Sequence, residues 1–443
     1  MDRTWTLAAA GDAIIGRRTA HLTDTEPRFA AIGEIVRSAD VASVNLETNV
    51  FDLDGFEGWP GSSALDHLPH RGERPGGVYL LADPLALQDL ASMGFDVYAR
   101  ANNHTGDWGI EGLLATSREL DALGLAHAGV GRDMQEASRP AYVDRAIGRV
   151  AMISLTTTFA VSSKAAAQRP DSKGRPGCNG VTIHRALRAS RAVHDELQAA
   201  AQAMGNPHLF ARMGIGVELA DDNTTRVVEW TDHTDMERLE DEIARARRFA
   251  DAVIINAHVH EPTNHVTQPP LWLQSLARAC IDAGADAYLG HGPPRLRPIE
   301  IYANRPIFYS MGTFMAHNQT RHLLPADLLT IRGLDPQTPA NEYYATVDSA
   351  KKAAGGDAAH GATTTSILPI MTFDEQGISG IEVHVVELAS AGSRAGKGTP
   401  MMASINNAER TLEHLTELSA PYGAGLSVSD GRGTWRRDDE ASG

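Results

Sequence analysis

The sequence predicts an α/β fold, and three observations support this prediction. Short apolar runs alternate with amphipathic stretches of helical periodicity along most of the 443 residues. The apolar runs end in polar or glycine-rich turns, and several amphipathic stretches end in glycine, as helices commonly do. The hydrophobic content of 42% is sufficient for a large buried core. Alternation of this kind is typical of layered α/β proteins.

Six apolar runs are predicted to be buried strands, and four segments between them are predicted to be amphipathic helices. The strands are TWTLAAAG, ADVASVNLE, FDVYARANN, GRVAMISLT, ADAVIINAHV and ADAYLGH. The helices are PLALQDLASMG, GIEGLLATSRELDALG, DMERLEDEIARARRFA and PLWLQSLARACIDAG.

Three stretches interrupt the alternation and are predicted to be long loops. Residues 51–78 and 159–182 are rich in Gly, Pro and Ser, and residues 317–365 form a long excursion. Long loops in a compact fold are commonly lids, substrate walls or disordered segments. We expect one domain over residues 1–425 and a disordered tail over residues 426–443.

The bulk composition disfavours several classes of protein. A formal net charge of −16 repels nucleic acid and anionic lipid, so the expected partner is a small molecule or a short anionic substrate. Membrane-spanning runs are lacking and the N-terminus does not resemble a signal peptide, so a cytoplasmic protein is expected. Cys178 and Cys280 form no CxxC pair, which argues against a disulfide scaffold or a zinc ribbon. The oligomeric state stays open.

Polar residues recur where the predicted strands end. Ligands bind outside the carboxyl ends of strands in open α/β sheets, and buried polar groups are costly unless they are paired or bind metal. Individually, Asp12 or Asn103 could stabilise a turn and His258 could be a satisfied core histidine. Together they predict a metal site of zinc, manganese or iron type, because the set offers oxygen and nitrogen ligands without thiolate. The set comprises Asp12, Glu47, Asn102, Asn103, His104, His258, His260 and His291.

The same segments resemble a known family. GDAIIG, ADVASVNLETNV, ARANNHTGDWGIEGLLAT, VIINAHVHE and GHGPPRLRPIEIYANRPIFYSMGTF occur in the order found in the bacterial capsule-synthesis CapA family, also called the poly-γ-glutamate capsule family. That family looks like a branch of the calcineurin-like metallophosphoesterase superfamily. The resemblance runs from about residue 5 to about residue 320, and more weakly to about residue 425. It implies a four-layer αββα sandwich with a metal centre at the edges of the sheets.

The resemblance also implies roles for individual residues. Asp12 would bind a first metal, to which His260 is a further candidate ligand, and Glu47 would bridge two metals. The second metal would be completed by Asn103, His258 and His291.

The neighbouring turn would supply the catalytic acid. His104 would stabilise developing charge or protonate the leaving group, and Asp107 would orient it.

The chain departs from the family pattern at three positions. Ile14 stands where enzymes of the wider superfamily usually carry a histidine, which CapA-like chains commonly lack too. Pro294 stands where many family members have a histidine, and Thr313 stands where the family has Asn. Both missing histidines would belong to the first metal. We therefore expect one tight metal site and a second that is weak or empty.

Charged residues near the motifs are candidates for substrate contacts. The planar guanidinium group of arginine suits carboxylate or phosphate, although Arg175 and Arg297 could equally pair with surface carboxylates. The candidates are Arg100, Arg175, Arg295, Arg297 and Glu261.

These observations favour a metal-dependent hydrolase. Metal-bound hydroxide would attack a phosphoester or an amide, including a γ-glutamyl-type amide. One alternative is a non-catalytic polyglutamate-binding or accessory protein of capsule or polymer synthesis. Another is a relic that has lost its metal, against which the retained polar set argues.

Overall fold

The computed structural model describes residues 4–61, 79–212, 216–317, 323–353, 364–390 and 396–437. All six predicted strands and all four predicted helices form. The strands are β1 (Trp5–Ile14), β2 (Val41–Leu46), β3 (Asn49–Val50), β4 (Leu81–Ala82), β5 (Val97–Ala99), β6 (Ala126–Ala128), β7 (Val130–Gly131), β8 (Ala141–Arg145), β9 (Gly148–Thr156), β10 (Gly177–Cys178), β11 (Ile183–Ala189), β12 (Gly216–Leu219), β13 (Arg226–Thr231), β14 (Ala252–His258), β15 (Ala287–His291), β16 (Ile299–Tyr302), β17 (Arg305–Phe308), β18 (Thr313–Ala316), β19 (Thr365–Asp374), β20 (Gly377–Leu388), β21 (Pro400–Met402), β22 (Ser427–Ser429) and β23 (Arg432–Arg436).

The helices connect the strands and cover the sheets. None of those within the described ranges combines the length and apolarity needed to cross a bilayer. They are α1 (Leu22–Thr25), α2 (Pro27–Ser38), α3 (Pro84–Ser92), α4 (Gly109–Ala122), α5 (Met134–Ser138), α6 (Arg191–Ala203), α7 (Leu209–Arg212), α8 (His233–Arg247), α9 (Leu271–Asp282), α10 (Ala326–Ile331), α11 (Ala340–Ala353) and α12 (Ile405–Ser419).

Two large sheets contain most of the strands. The first has the order β22-β23-β20-β19-β1-β2-β5-β6, with β18 on β1 and β21 on β20, and the second has the order β16-β17-β15-β14-β9-β8. In the first, β1, β2, β5 and β6 are parallel; in the second, β9, β14 and β15 are parallel. The carboxyl ends of these parallel strands therefore lie at one edge of each sheet, and the polar residues that follow the strands lie at that edge. The register places His258 opposite both His291 and Thr156.

The two sheets pack face to face, and helices cover both outer faces. Leu7 and Val41 of the first sheet share one buried cluster with Met152, Ile254 and Leu289 of the second. Outside the first sheet, α2 and α3 bury their apolar faces against β1 and β2. Outside the second sheet, α8 and α9 do the same against β9, β14 and β15. This arrangement confirms the four-layer αββα sandwich.

The C-terminal segment was expected to be a disordered tail, and for residues 427–437 this prediction is wrong. β22 and β23 form a hairpin whose two-residue turn is Asp430 and Gly431, both with positive φ. The twist of such a turn matches that of the strands, and the two positive φ angles that it requires favour an Asp-Gly pair. β23 also pairs with β20, and Trp435 packs against the core between the sheets. Residues 438–443 lie outside the described residues.

The three predicted loops differ in structure. The segment 159–182 contains a short 3-10 turn and β10, which pairs with β7. The excursion at 317–365 is not purely a loop, because α10 and α11 pack together through Leu328 and Tyr344. Residues 62–78 of the first loop lie outside the described residues. A further small sheet, β12-β11-β13, follows the second loop and was not predicted from the sequence.

Removing the terminal hairpin should destabilise the protein. A chain that stops after Leu426 loses the pairing of β23 with β20 and the contacts of Trp435, so the free energy of unfolding should fall by about 3 kcal/mol or more. Urea unfolding measures this change. A chain that stops after Arg437 keeps both strands and is the control. Equal stability of the two truncated chains would show that the hairpin adds nothing to the fold.

Candidate metal centre

A buried carboxylate joins the two sheets at their carboxyl ends. Asp12 on β1 is 1% exposed and accepts hydrogen bonds from Asn45 Nδ2 at 2.6 Å and from the Gly292 backbone N–H at 3.1 Å. The Nδ1 atom of His258 lies 3.4 Å from Asp12 Oδ1. Burial alone would raise the pKa of Asp12, but His258, His291 and the Asn45 hydrogen bond together lower it below its ordinary value. The side chain is therefore ionised.

The ring of His258 presents its two nitrogens to two different neighbourhoods. Nδ1 faces Asp12 and lies 3.1 Å from Asn45 Nδ2. Nε2 lies 3.0 Å from Nε2 of His260 and 3.6 Å from Glu47 Oε1. The ligand atoms of Glu47, His258 and His260 lie within 4.8 Å of one another, and all three residues are buried.

These three side chains fit a divalent cation. Ligand atoms at the vertices of a tetrahedral zinc site are about 3.3 Å apart, and the distances of 3.0 and 3.6 Å bracket that value. Two histidines and one carboxylate, with a position left open, form a ligand set known from catalytic zinc sites. Burial lowers the pKa of His258 and so favours the neutral imidazole that a metal requires.

His260 is oriented by its own neighbours. Its Nδ1 lies 2.5 Å from Asn264 Oδ1, and because a carboxamide oxygen only accepts, Nδ1 carries the proton and Nε2 keeps a lone pair for a ligand. Its backbone N–H donates to Thr158 Oγ1 at 3.0 Å. The sequence suggested neither Asn264 nor Thr158.

His291 defines a second polar position beside the first. Its Nε2 donates to Asn256 Oδ1 at 2.6 Å, so Nδ1 keeps a lone pair and lies 3.8 Å from Asp12 Oδ1. Among the described residues no hydrogen-bond partner reaches this buried Nδ1. Burial lowers the pKa of His291 to about 4, which keeps the ring neutral. A lone pair that faces a carboxylate is suited to hold a cation between the two groups.

The structure thus groups the candidate ligands differently from the sequence-based assignment. The sequence placed His258 with His291 and left His260 as a further candidate for the other metal. In the structure, His258 Nε2 faces His260 and Glu47, whereas His291 faces Asp12. Asn103 is buried in the turn after β5, beside His104.

The expected acid and its orienting residue are in contact. His104 Nδ1 lies 2.8 Å from Asp107 Oδ2, which also accepts the Leu80 backbone N–H at 2.7 Å. The other ring nitrogen of His104 lies 3.7 Å from Glu47 Oε1, so the ring borders the metal candidates. Asn102 anchors this turn to β2 through a 2.9 Å hydrogen bond to the Leu46 carbonyl.

Two asparagines in the centre were missed at the sequence level. Asn45 bridges Asp12 and His258, and Asn256 orients His291. Asn45 lies two residues before Glu47, which follows β2 directly, and Asn256 lies two residues before His258 on β14. Alternation along an extended chain puts such pairs on one face, and this spacing was the signal that could have identified them.

Two of the predicted substrate arginines are structural, and for them the prediction is corrected. Arg100 is 2% exposed and donates to Leu113 O and Ser117 Oγ of α4, and burial lowers its pKa to about 9. Arg297 is fully buried, and burial likewise lowers its pKa, to about 10. Its guanidinium donates to the carbonyls of Val259, Glu261, Thr263 and Val266 and thereby fixes the segment that carries His260.

The remaining substrate candidates line two separate cavities. Arg295 is half-buried in a groove of about 760 Å³ that it shares with Glu387 and Arg410, and no predicted metal ligand lines that groove. Arg175 and Glu261 line another cavity, of about 580 Å³, and no candidate metal ligand is among the residues that line it. Glu261 of the second cavity directly follows the candidate metal ligand His260 in the sequence.

The sandwich and the buried His, Glu and Asp side chains at its strand ends define a protein of the metallophosphoesterase type. The chain belongs to the family described as bacterial capsule synthesis protein PGA_cap, whose model matches residues 6–318. That family is part of the metallophosphoesterase superfamily.

Several relatives extend this comparison. An uncharacterized protein of Sinorhizobium fredii (strain NBRC 101917 / NGR234), y4sH, is 34% identical over 96% of this chain and 92% of its own length. The PGA biosynthesis protein CapA of Bacillus subtilis (strain 168) is 24% identical over 69% of this chain and 61% of its own length. A probable polyglutamine synthesis accessory protein of Mycobacterium tuberculosis (strain ATCC 25618 / H37Rv) is 27% identical over 62% of this chain and 55% of its own length.

One solved structure is a much more distant match. Haemophilus influenzae NAD nucleotidase aligns with 97% of this chain and 57% of its own, at 10% identity and a TM-score of 0.33, which is too low to support a functional comparison.

Gly292 should be intolerant of a side chain. Its φ is +113°, and an added Cβ would lie 3.0 Å from the Val259 backbone. Gly292→Ala should therefore lower the free energy of unfolding by about 1–3 kcal/mol, as measured by urea unfolding. Gly425→Ala, at an exposed position with nothing within 4 Å, is the control. Equal stability of the Gly292→Ala and Gly425→Ala variants would contradict the geometry.

Loss of His260 should remove bound metal. His260→Ala deletes one of three clustered ligands, so the metal content of protein purified without added metal should fall from about one equivalent to nearly none. Elemental analysis measures zinc, manganese and iron per chain. His265→Ala changes an exposed histidine of the same loop and is the control. Equal metal content in both variants would rule out the assignment of His260.

Proposed function

We propose that the protein is a metal-dependent hydrolase that acts on a phosphoester or an amide, including a γ-glutamyl-type amide. The convergence of Glu47, His258 and His260 at the carboxyl ends of the strands carries this proposal. His104, which Asp107 contacts at Nδ1, borders the cluster, because its Nε2 lies 3.7 Å from Glu47 Oε1. A ligand cluster next to an oriented histidine is the arrangement that hydrolysis requires.

The residues divide into those that would hold a cation and one that would move a proton. A bound divalent cation would polarise a substrate oxygen and acidify a water molecule. Asp107 holds His104 at Nδ1, so Nε2 is directed towards Glu47 and can carry a proton to the leaving atom. Water is the second reactant: its oxygen bonds to carbon or phosphorus, and the bond to the protonated leaving group breaks.

One tight metal site and one weaker site would follow from the ligand distribution. Glu47, His258 and His260 supply three ligands to one position. Asp12 and His291, whose Oδ1 and Nδ1 atoms lie 3.8 Å apart, would supply ligands to the other position. The histidine usual in the superfamily at the position of Ile14 and the one common in the family at the position of Pro294 are both missing, which accords with a weak or empty second position.

An accessory role in polymer synthesis is the second candidate. It is favoured by the names of relatives such as the polyglutamine synthesis accessory protein of M. tuberculosis. In that case the same pocket would bind the polymer without cleaving it. The hydrolase would turn over its substrate in a reaction that depends on His104, whereas the accessory protein would show no turnover.

Substitution of His104 separates catalysis from metal binding. His104→Ala should leave metal content unchanged and reduce turnover by about 10²–10⁴-fold, because it removes the proton donor and no member of the ligand cluster. Turnover would be measured with aryl phosphoesters and γ-glutamyl anilides on metal-loaded protein. His127→Ala, whose ring contacts Asp121 of α4 instead, is the control.

The outcomes bear on the two candidates directly. Metal-dependent turnover that falls only in the His104 variant supports the hydrolase. A metal-loaded wild-type protein that cleaves neither substrate class, yet binds polyglutamate, would replace the hydrolase with the accessory role.

A further inference from the structure

Arg297 is the bulkiest of the fully buried side chains in the part of the chain that the structure describes. Burial of a charge costs free energy unless hydrogen bonds surround it, and arginines are therefore seldom fully enclosed. The pKa of Arg297 is lowered by burial, but only to about 10, so the guanidinium is still charged near neutral pH. A cation in this position needs acceptors around it, and a substrate cannot reach it.

The acceptors that surround this cation come from one short segment. The guanidinium makes four hydrogen bonds, and each acceptor is a backbone carbonyl of residues 259–266. The planar group has donors in a fixed fork, so carbonyls that bind it are held in a defined arrangement. Nη2 donates to Glu261 O at 2.7 Å and to Thr263 O at 3.3 Å, Nε donates to Val266 O at 3.2 Å, and Nη1 donates to Val259 O at 3.4 Å.

The segment around Arg297 carries the candidate ligand His260 and the residue that orients it. Val259 and Glu261 flank His260, so their bound carbonyls fix the backbone on both sides of the histidine. Asn264 lies in the same segment, and its Oδ1 is 2.5 Å from His260 Nδ1. The direction of His260 Nε2 towards His258, 3.0 Å away, therefore depends on the shape of this segment.

Residues 259–266 form neither a helix nor a strand, so regular backbone hydrogen bonds do not determine this shape. Glu261 fastens the first half of the segment to the end of β9, because its Oε2 accepts hydrogen bonds from Thr157 Oγ1 at 2.7 Å and from Thr158 Oγ1 at 2.9 Å. The second half contains Asn264. Its carbonyls at Thr263 and Val266 are bound by Arg297.

Arg297 also belongs to the connection that carries the other candidate histidine, His291. The backbone N–H of Arg297 donates to Ser310 O at 3.2 Å, which fixes this connection against the end of β17. The two ligand-bearing segments meet where the Val259 N–H donates to His291 O at 2.9 Å. One buried side chain thus reaches from the segment of His291 into the segment of His260.

We infer that Arg297 is a positioning residue for the metal centre, which holds residues 259–266 so that His260 Nε2 faces Glu47 and His258. It sets the metal affinity without contact with the metal or the substrate. This inference rests on the metal cluster of the proposed function and does not depend on hydrolysis. Groups that orient a metal ligand from behind typically change metal affinity by about 10–100-fold when they are substituted.

Titration of the purified protein with zinc, in competition with a chelating dye, tests the inference. Arg297→Met removes all the guanidinium donors, so the zinc affinity of the tight site should fall by about 10–100-fold. Arg297→Lys keeps the charge, but one ammonium cannot reproduce the planar fork, so the loss should lie at about the lower end of that range. The lysine variant carries the test if the methionine variant does not fold.

Arg305→Met is the matched control. Arg305 also donates to backbone carbonyls, those of Asn304 and Gln376, both at 3.1 Å, and it contacts Asp286. It begins β17, which runs parallel to β15, so it lies at the end of the second sheet opposite to His291. This variant should bind zinc like the wild type. Urea unfolding of each variant shows that the titrated protein is folded.

A second readout separates positioning of His260 from a purely structural role. The visible absorption of bound Co²⁺ depends on the number and geometry of its ligands. At saturating Co²⁺, Arg297→Met and His260→Ala should show the same altered spectrum, and Arg305→Met should keep the spectrum of the wild type. A role in stability alone would leave the spectrum of the Arg297→Met variant unchanged and would overturn the inference.

The zinc titration also distinguishes failure of this inference from failure of the proposed function. Wild-type zinc affinity in the folded Arg297→Met variant, or in Arg297→Lys if only that variant folds, would overturn the inference. Equal losses in the Arg297→Met and Arg305→Met variants would overturn it as well. Zinc affinity that depends on Arg297 in a protein without hydrolytic turnover would refute the hydrolase and keep the inference. A wild-type protein that binds no zinc would refute the metal centre and the inference together.

Discussion

The buried Asp12 carboxylate is the interaction on which the centre depends. It receives a donor from each sheet, Asn45 Nδ2 from the first and the Gly292 N–H from the second. A buried ion is tolerated only when several donors surround it, so the two sheets are fixed relative to one another at this edge. The ring of His258 is held with Nδ1 towards this junction, and Nε2 is consequently directed towards Glu47 and His260.

The convergence of the site could be predicted from the sequence because it follows from strand direction. Parallel strands bring their carboxyl ends to one edge, and polar residues at those ends therefore meet. The pairing of ligands could not be predicted in this way. Whether the rings of His260 and His291 face His258 or another group depends on side-chain rotation, which contacts with Asn45, Asn256 and Asn264 restrict. Those contacts join residues that are distant along the chain.

The arginines illustrate a second limit of sequence reasoning. Arg295 and Arg297 lie two residues apart after the same strand, yet one is half-buried in a groove and the other is fully buried beneath the 259–266 segment. Nothing in the local pattern separates them, because the burial of Arg297 depends on carbonyls more than thirty residues earlier. The terminal hairpin could be predicted only in part. Its Asp-Gly turn is a local sequence signal, whereas its pairing with β20 depends on residues distant along the chain.

The strand order of the first sheet also bears on how the chain assembles during synthesis. The second sheet draws all its strands from residues 141–308, so its pairing partners are available once that stretch has left the ribosome. The Trp5–Ala8 part of β1 lies between β2 and β19, which begins only at Thr365, whereas the Asp12–Ile14 part pairs with β18. The first half of β1 therefore has one unpaired edge until the late part of the chain is synthesised. Such non-local pairing slows folding and leaves an open edge exposed to aggregation in the meantime.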